Sequence, residues 1–245
     1  MSFVGSHDEY GYFCPMQTYR HLFFDLDRTL YDFDANNRNA LYSLYRKHAL
    51  WKKGCAGFDH FMNTYRPVNL KLWDDYKQKK ITKQRLNVER FAQTFRIMGV
   101  DDSMAESFAG DYLEISPKQI LLVSGTHQVL SCLKEKYTLH IITNGFEEIQ
   151  YQKISRCGLG PFFATVTTSE KAGAQKPDAA IFDLALQSAG AKPEHSLVIG
   201  DDPESDILGA KQQGIDQVWL ARDGEETSVE PTYTIHSLKE LTGLL

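Results

Sequence analysis

The chain of 245 residues has only four cysteines, Cys14, Cys55, Cys132 and Cys157, far apart and with no CxxC pair or Cys/His ligand spacing among them. That scarcity excludes a disulfide framework and the usual zinc patterns, so the four are read as reduced thiols of a cytoplasmic protein. No stretch approaches the roughly 20 apolar residues that a membrane helix needs, and no membrane partner is expected. Positive charge is not in excess either. Lys and Arg number 27 against 32 Asp and Glu, a net charge of −5, which argues against a nucleic acid polymer or an anionic lipid surface as partner. The opening MSFVGSHDEYGYFCPMQTYR lacks a basic start followed by an apolar run, so it does not read as a secretory signal. Residues 1–18 are taken as an N-terminal leader. Repeats and low-complexity segments are also missing.

What is present is the composition of an ordinary globular protein, with 42% hydrophobic residues, enough for one large domain or for a core and a smaller companion. Short β-rich runs are predicted as strands at 21–24, 139–143, 163–167, 197–200 and 217–220. They alternate with helical patterns in the second half, which predicts βα units and a parallel sheet. In KPDAAIFDLALQSAG, Pro177 is expected to open a helix and Gly190 to stop it, and Gly214 plays the same stopping part after SDILGAKQQ. The segment 34–118 differs. NNRNALYSLYRKHAL and ITKQRLNVERFAQTFRIMG carry helical spacing, and no convincing strand interrupts them. The expected organisation is therefore an α/β core of residues 19–33 and 119–245, with a helical domain at 34–118 set over the strand ends. Its hinges fall near 31–36 and 118–125.

Ligands of open α/β sheets bind beyond the carboxyl ends of the strands, and the chemistry of this sequence gathers there. DLDRTLYDFD stands at the end of the first strand, TNG at that of the second and GDDPESD at that of the fourth, and a Lys-Pro pair comes after the third. Two aspartate clusters, a hydroxyl and a lysine on one rim suggest a hard divalent cation with oxygen ligands. A carboxylate beside such a cation can attack a phosphoryl group, because the anion–anion repulsion is removed. A second carboxylate two residues on, expected to point the same way, can protonate a leaving alcohol and later take a proton from water.

In order, DLDRT, ITNG, KP and GDDPESD resemble the four motifs of the haloacid dehalogenase superfamily. The resemblance covers a Rossmann-like core, and the helical insert is similar to the superfamily's type 1 cap. It implies Asp25 as nucleophile, Asp27 as general acid and base, Thr143 as phosphoryl ligand and Lys176 as charge clamp. Asn144 joins Thr143 and Lys176 as a substrate contact. It further implies Mg²⁺ held by Asp25, the backbone carbonyl of Asp27 and Asp201, with Asp206 nearby. Arg28 departs from the small or acidic residue common at its position, and its contact is left open between cap and substrate.

YRPVNLKLWDDYKQKKIT, ITNGF and KPDAAIFDLALQSAG resemble more narrowly the bacterial house-cleaning pyrimidine nucleotidases. That likeness implies a nucleoside monophosphate substrate, with Asn69, Trp73 and Tyr76 meeting the base, in a monomer or weak dimer. The expected activity is Mg²⁺-dependent hydrolysis of pyrimidine 5′-monophosphates through an aspartyl phosphate. Sugar-phosphate or phosphoglycolate hydrolysis would use the same core residues, and a non-catalytic metal-binding module is the alternative from another class. Plainer readings stand beside these. Trp73 and Tyr76, three apart, also suit helix packing, Thr143 and Asn144 also suit a helix cap, and acidic residues are welcome in the first turn after Gly200.

Overall fold

The computed structural model describes residues 19–245, so the leader and Cys14 lie outside the described residues. Six strands form one parallel sheet: β1 (His21–Phe24), β2 (Thr138–Thr143), β3 (Phe163–Thr168), β4 (Ser196–Gly200), β5 (Asp216–Leu220) and β6 (Tyr233–Ile235). Their spatial order is β3-β2-β1-β4-β5-β6, so the strand that leads to Asp25 lies at the centre. Leu22, Phe24, Ile141, Leu197, Ile199 and Val218 pack on one face, and Phe23, Ile142 and Val198 on the other. Burial on both faces is what the near-continuous apolar runs require of a parallel sheet. β6 is the strand that the sequence did not announce. Its three residues, Tyr-Thr-Ile, are too short to carry a period.

Between β1 and β2 the chain is helical: α1 (Phe33–Lys47), α2 (Phe58–Lys77), α3 (Lys83–Ile97) and α4 (Ala105–Ile115). These helices bury an apolar cluster of their own, centred on Leu41, Leu44, Phe61, Tyr65, Phe91, Phe95 and Phe108. A smaller cluster joins them to the sheet, where Val68, Leu72 and Leu86 meet Phe146. The two connections between sheet and insert are stitched together. Asn36 is buried and holds Leu121 from both sides, its Nδ2 donating to the carbonyl at 2.7 Å and its Oδ1 accepting from the N–H at 3.0 Å.

After β1 and this insert, the sheet is wrapped by α5 (Thr126–Lys134), α6 (Glu147–Arg156), α7 (Ser169–Ala172) and α8 (Ala179–Ala189). A wider π-turn (Pro203–Leu208) runs into α9 (Gly209–Gln212), and α10 (Leu241–Leu244) ends the described fold. Pro177 does not open α8. Asp178 caps it from extended backbone, its carboxylate accepting from the Ala180 N–H at 2.9 Å, and the first helical residue is Ala179. An aspartate cap satisfies a free helix N–H directly, which a proline at that place cannot do. Gly190 ends the helix as expected, in the left-handed conformation at φ 61°.

Candidate active site

The acidic rim is built by two adjacent strands. β1 delivers Asp25, whose N–H donates to the Ile199 carbonyl at 2.9 Å, so the chain is still tied to β4 where the side chain turns out. β4 delivers Asp201, and the following turn delivers Asp206. Carboxylate oxygens of Asp25, Asp201 and Asp206 all lie within 4.8 Å of one another. A Cβ at Gly200 would stand 2.2 Å from an Asp206 oxygen, so only glycine lets that carboxylate fold back over the strand end. Asp206 also accepts from the Asp202 N–H at 3.1 Å, while Asp202 caps the turn through the N–H groups of Glu204 and Ser205.

Lys176 supplies the cation. Its side chain is buried and its Nζ donates to Asp25 Oδ1 at 2.7 Å, to Asp206 Oδ1 at 2.6 Å and to the Ile142 carbonyl at 2.9 Å. Burial works against the charge, but Asp206 and Asp25 outweigh it and raise the lysine pKa. The carboxyls are pushed upward too, Asp25 and Asp206 by burial against the pull of Lys176, and Asp201 by burial with Asp25 and Asp206 adding repulsion. Three carboxylates thus share one ammonium and are under-neutralised. An all-oxygen donor set with surplus negative charge fits a hard divalent cation.

Asp27 lies apart from this cluster. β1 ends at Phe24, so strand alternation no longer governs the side chains beyond it, yet Asp25 and Asp27 both line one cavity. Asp27 faces α6, where Lys153 Nζ donates to Oδ1 at 2.5 Å and Gln150 Nε2 donates to Oδ2 at 2.9 Å. Both donors are buried. Gln150 Nε2 also reaches Thr143 Oγ1 at 2.7 Å, linking the ends of β1 and β2. Gly145 is what allows this, because a Cβ there would sit 2.4 Å from the Gln150 amide. The sequence reading missed Gln150 and Lys153. Their signal was a spacing of three after TNG, which puts both on one face of α6.

Thr143 and Asn144 do not cap α6, whose first helical residue is Glu147. Asn144 instead clasps the backbone of Lys176, its Oδ1 accepting from the N–H at 2.7 Å and its Nδ2 donating to the carbonyl at 3.0 Å. Arg28, at φ 71°, binds Asp34 in the first turn of α1, with Nη2 to Oδ1 at 3.1 Å, so its contact is with the insert. Arg222 joins the same Asp34 at 2.8 Å and reaches Asp201 at 3.7 Å.

One cavity of about 230 Å³ connects the rim to the helical insert, lined below by Asp25, Asp27, Thr143, Lys176 and Asp201. Asn69 and Trp73 line its wall. Trp73 stacks on Phe146 with ring centroids 5.2 Å apart, and Tyr76 packs edge-on to both without lining the cavity. Among the described residues no helix is long and apolar enough to cross a membrane.

Residues 22–220 match the haloacid dehalogenase-like hydrolase family. The chain belongs to that family. Over 93% of its length it is 37% identical to the pyrimidine 5′-nucleotidase PynA of Streptococcus pneumoniae, covering 95% of that protein. It is 34% identical to the pyrimidine 5′-nucleotidase YjjG of Escherichia coli, with 91% and 96% of the two chains covered. The magnesium-bound crystal structure of the HAD-hydrolase YfnB of Bacillus subtilis superposes with a TM-score of 0.83 at 29% identity, covering 93% of this chain and 99% of that one. The α/β core with inserted helices is the fold of this hydrolase family.

Proposed function

We propose that this hydrolase is a Mg²⁺-dependent phosphatase of pyrimidine nucleoside 5′-monophosphates. The observation that carries the reading is one shared cavity, which sets Asp25 and Asp27 beneath a wall containing Trp73 and Asn69. Two relatives named as pyrimidine 5′-nucleotidases, similar over almost the whole chain, support the substrate class.

In this reading Asp25, Asp201, Asp206 and the Asp27 carbonyl hold Mg²⁺, which when bound neutralises the carboxylates and the incoming phosphate. Lys176 occupies Asp25 Oδ1, and Oδ2 has no hydrogen-bond partner among the described residues. That oxygen attacks phosphorus. Thr143 Oγ1 already accepts from Gln150 and from the Gly145 N–H, so its own proton is free to donate to a phosphoryl oxygen. Asp27 protonates the departing 5′-oxygen of the nucleoside. The same carboxylate then takes a proton from the water that cleaves the aspartyl phosphate, releasing phosphate and restoring Asp25.

Residues 34–118 work as the cap in this scheme, admitting substrate when open and excluding bulk water when closed. Trp73 offers the base a stacking face, a contact worth on the order of 1–3 kcal/mol. The test is phosphate release by the purified protein with Mg²⁺ from UMP, CMP, AMP, glucose 6-phosphate and phosphoglycolate, with Asp25→Asn as the blank. Preference for pyrimidine monophosphates is expected. Preference for a sugar or acid phosphate replaces the substrate reading, and no turnover of any compound returns the chain to a binding role.

A further inference from the structure

Away from its hinges, the helical insert meets the core along an apolar seam, where Val68, Leu72 and Leu86 contact Phe146 with Trp73, Tyr76 and Ile149 packed around them. Apolar contact has no preferred direction, so this seam presses the two parts together without fixing one position of the insert over the sheet. Polar contacts are needed for that. Among the described residues, the ion pairs between insert and core involve only two residues of the insert, Asp34 and Lys83. Asp34 lies in the first turn of α1, beside the hinge, where Arg28 and Arg222 hold it. Lys83 is remote from both hinges along the chain.

Lys83 is the first residue of α3, which Thr82 caps by accepting from the Arg85 N–H at 3.2 Å. A cation is the wrong sign for that place, because the N-terminal end of a helix carries partial positive charge. Its compensation comes from across the seam. Lys83 Nζ donates to Glu148 Oε2 at 2.8 Å and to Glu170 Oε1 at 2.8 Å, and stands 4.5 Å from the centre of the Phe146 ring. Glu148 lies in the first turn of α6 and Glu170 in that of α7, so two core helices converge on one lysine of the insert. The other oxygen of Glu170 accepts from the Glu147 N–H at 2.6 Å, which ties the two helices to each other. Burial works against the ammonium, but the two glutamates outweigh it and raise its pKa. The side chain is only 23% exposed, so water screens these bonds less than it would a pair on the open surface.

We propose that Lys83 is an ionic latch, which holds the insert closed over the cavity by gripping Glu148, Glu170 and Phe146 of the core. This rests on the cap role given to residues 34–118 and holds whichever phosphate ester is cleaved. An outward swing of the insert must break both bonds together. The gripped helix α6 also bears Gln150 and Lys153, so the latch closes on the element that orients Asp27.

Hydrogen exchange of the purified protein without substrate tests the latch. The segment 145–152 carries Phe146 and Ile149 against the insert, and 127–134 on α5 serves as reference. Lys83→Met should speed exchange in 145–152 about tenfold, the scale of two partly exposed ion pairs with one cation–π contact, and leave 127–134 unchanged. Glu148→Gln, at a half-exposed position, should give part of that effect. Lys83→Met combined with Glu148→Gln should go no further than Lys83→Met alone, because the pair is already broken. Sodium chloride at about 0.5 M should speed exchange in the wild type and leave Lys83→Met unchanged. Equal exchange in the wild type and Lys83→Met overturns the proposal, as do additive effects of the two substitutions. No substrate is present, so failure of the nucleotidase reading would leave this result standing.

Discussion

Lys153 and Asp27 meet at 2.5 Å, and Gln150, one turn earlier on the same helix, holds the other oxygen of that carboxylate. Both oxygens of the proposed acid–base residue are thereby fixed from one side, and its orientation depends on α6.

Lys153→Met should lower kcat about tenfold, less than the 10² to 10⁴ that loss of the general acid–base group itself produces. The fall should be steeper for phenyl phosphate than for 4-nitrophenyl phosphate, whose leaving group needs no proton. Steady-state kinetics on the two esters check this, and equal losses would assign Lys153 to packing alone.

Gly145→Ala puts a methyl group where the Gln150 amide passes, 2.4 Å from its atoms. The expected outcome is a drop in kcat of about tenfold, because Gln150 must release Asp27 or Thr143. Unfolding in urea should shift much less. An active Gly145→Ala enzyme would show that the amide can move aside without cost to the chemistry.

Asp25, Asp201 and Asp206 crowd three carboxylates against one lysine, so a bound dication should stabilise the folded protein. Mg²⁺ at a hundred times its dissociation constant adds about 2.7 kcal/mol. For a chain of this length that raises Tm by several degrees. EDTA should abolish phosphate release, and Mg²⁺ should restore it. In Asp201→Asn the thermal shift should be smaller by at least half. A wild-type Tm indifferent to Mg²⁺ would falsify the assignment.

His140 is a buried residue of β2, its Nε2 3.1 Å from His21 Nδ1 and its Nδ1 2.8 Å from Thr165 Oγ1. Burial, with His21 adding to it, lowers its pKa from 6.5 to about 4. The unfolded chain therefore binds the proton first as pH falls, and stability is lost between about pH 6.5 and 4. The full loss below that window is about 3 kcal/mol at most. Urea unfolding of the wild type and His140→Gln across this range checks it. The variant should show a shallower decline, and parallel curves would mean the histidine is not the group responsible.

Trp73→Ala should cost nucleotide turnover far more than phenyl phosphate turnover if the indole meets the base. Its stack on Phe146 offers the competing outcome, in which both substrates suffer alike because the insert no longer seats on the sheet.

The five longer strands, the helical insert and the residues Asp25, Thr143 and Asp201 were legible because each strand end marks itself by a change from apolar to acidic or polar residues, and Lys176 and Asp206 were legible through the short motifs that follow. β6 was not, since three residues carry no alternation, and Pro177 misled because its neighbour Asp178 is the better cap. Lys153 and Lys83 were hidden for a shared reason. On a helix a long cation looks solvated, and only the packing of α6 and α3 against their neighbours reveals the partners of these two.

The central place of β1 also governs how the chain reaches its fold. Its partners in β2 come from the far side of the helical segment, with His21 opposite Thr138 and Phe24 opposite Ile141. The helices between them make chiefly nearby contacts, as in the pairing of α2 with α3, and such contacts close quickly. On a growing chain the insert can therefore condense while the strand bearing Asp25 still waits for a neighbour. Compacting those helices brings the two stitched ends together at Asn36 and Leu121 and shortens the loop that β1 and β2 must close. The helical insert would then act first as a guide for assembling the sheet that carries Asp25.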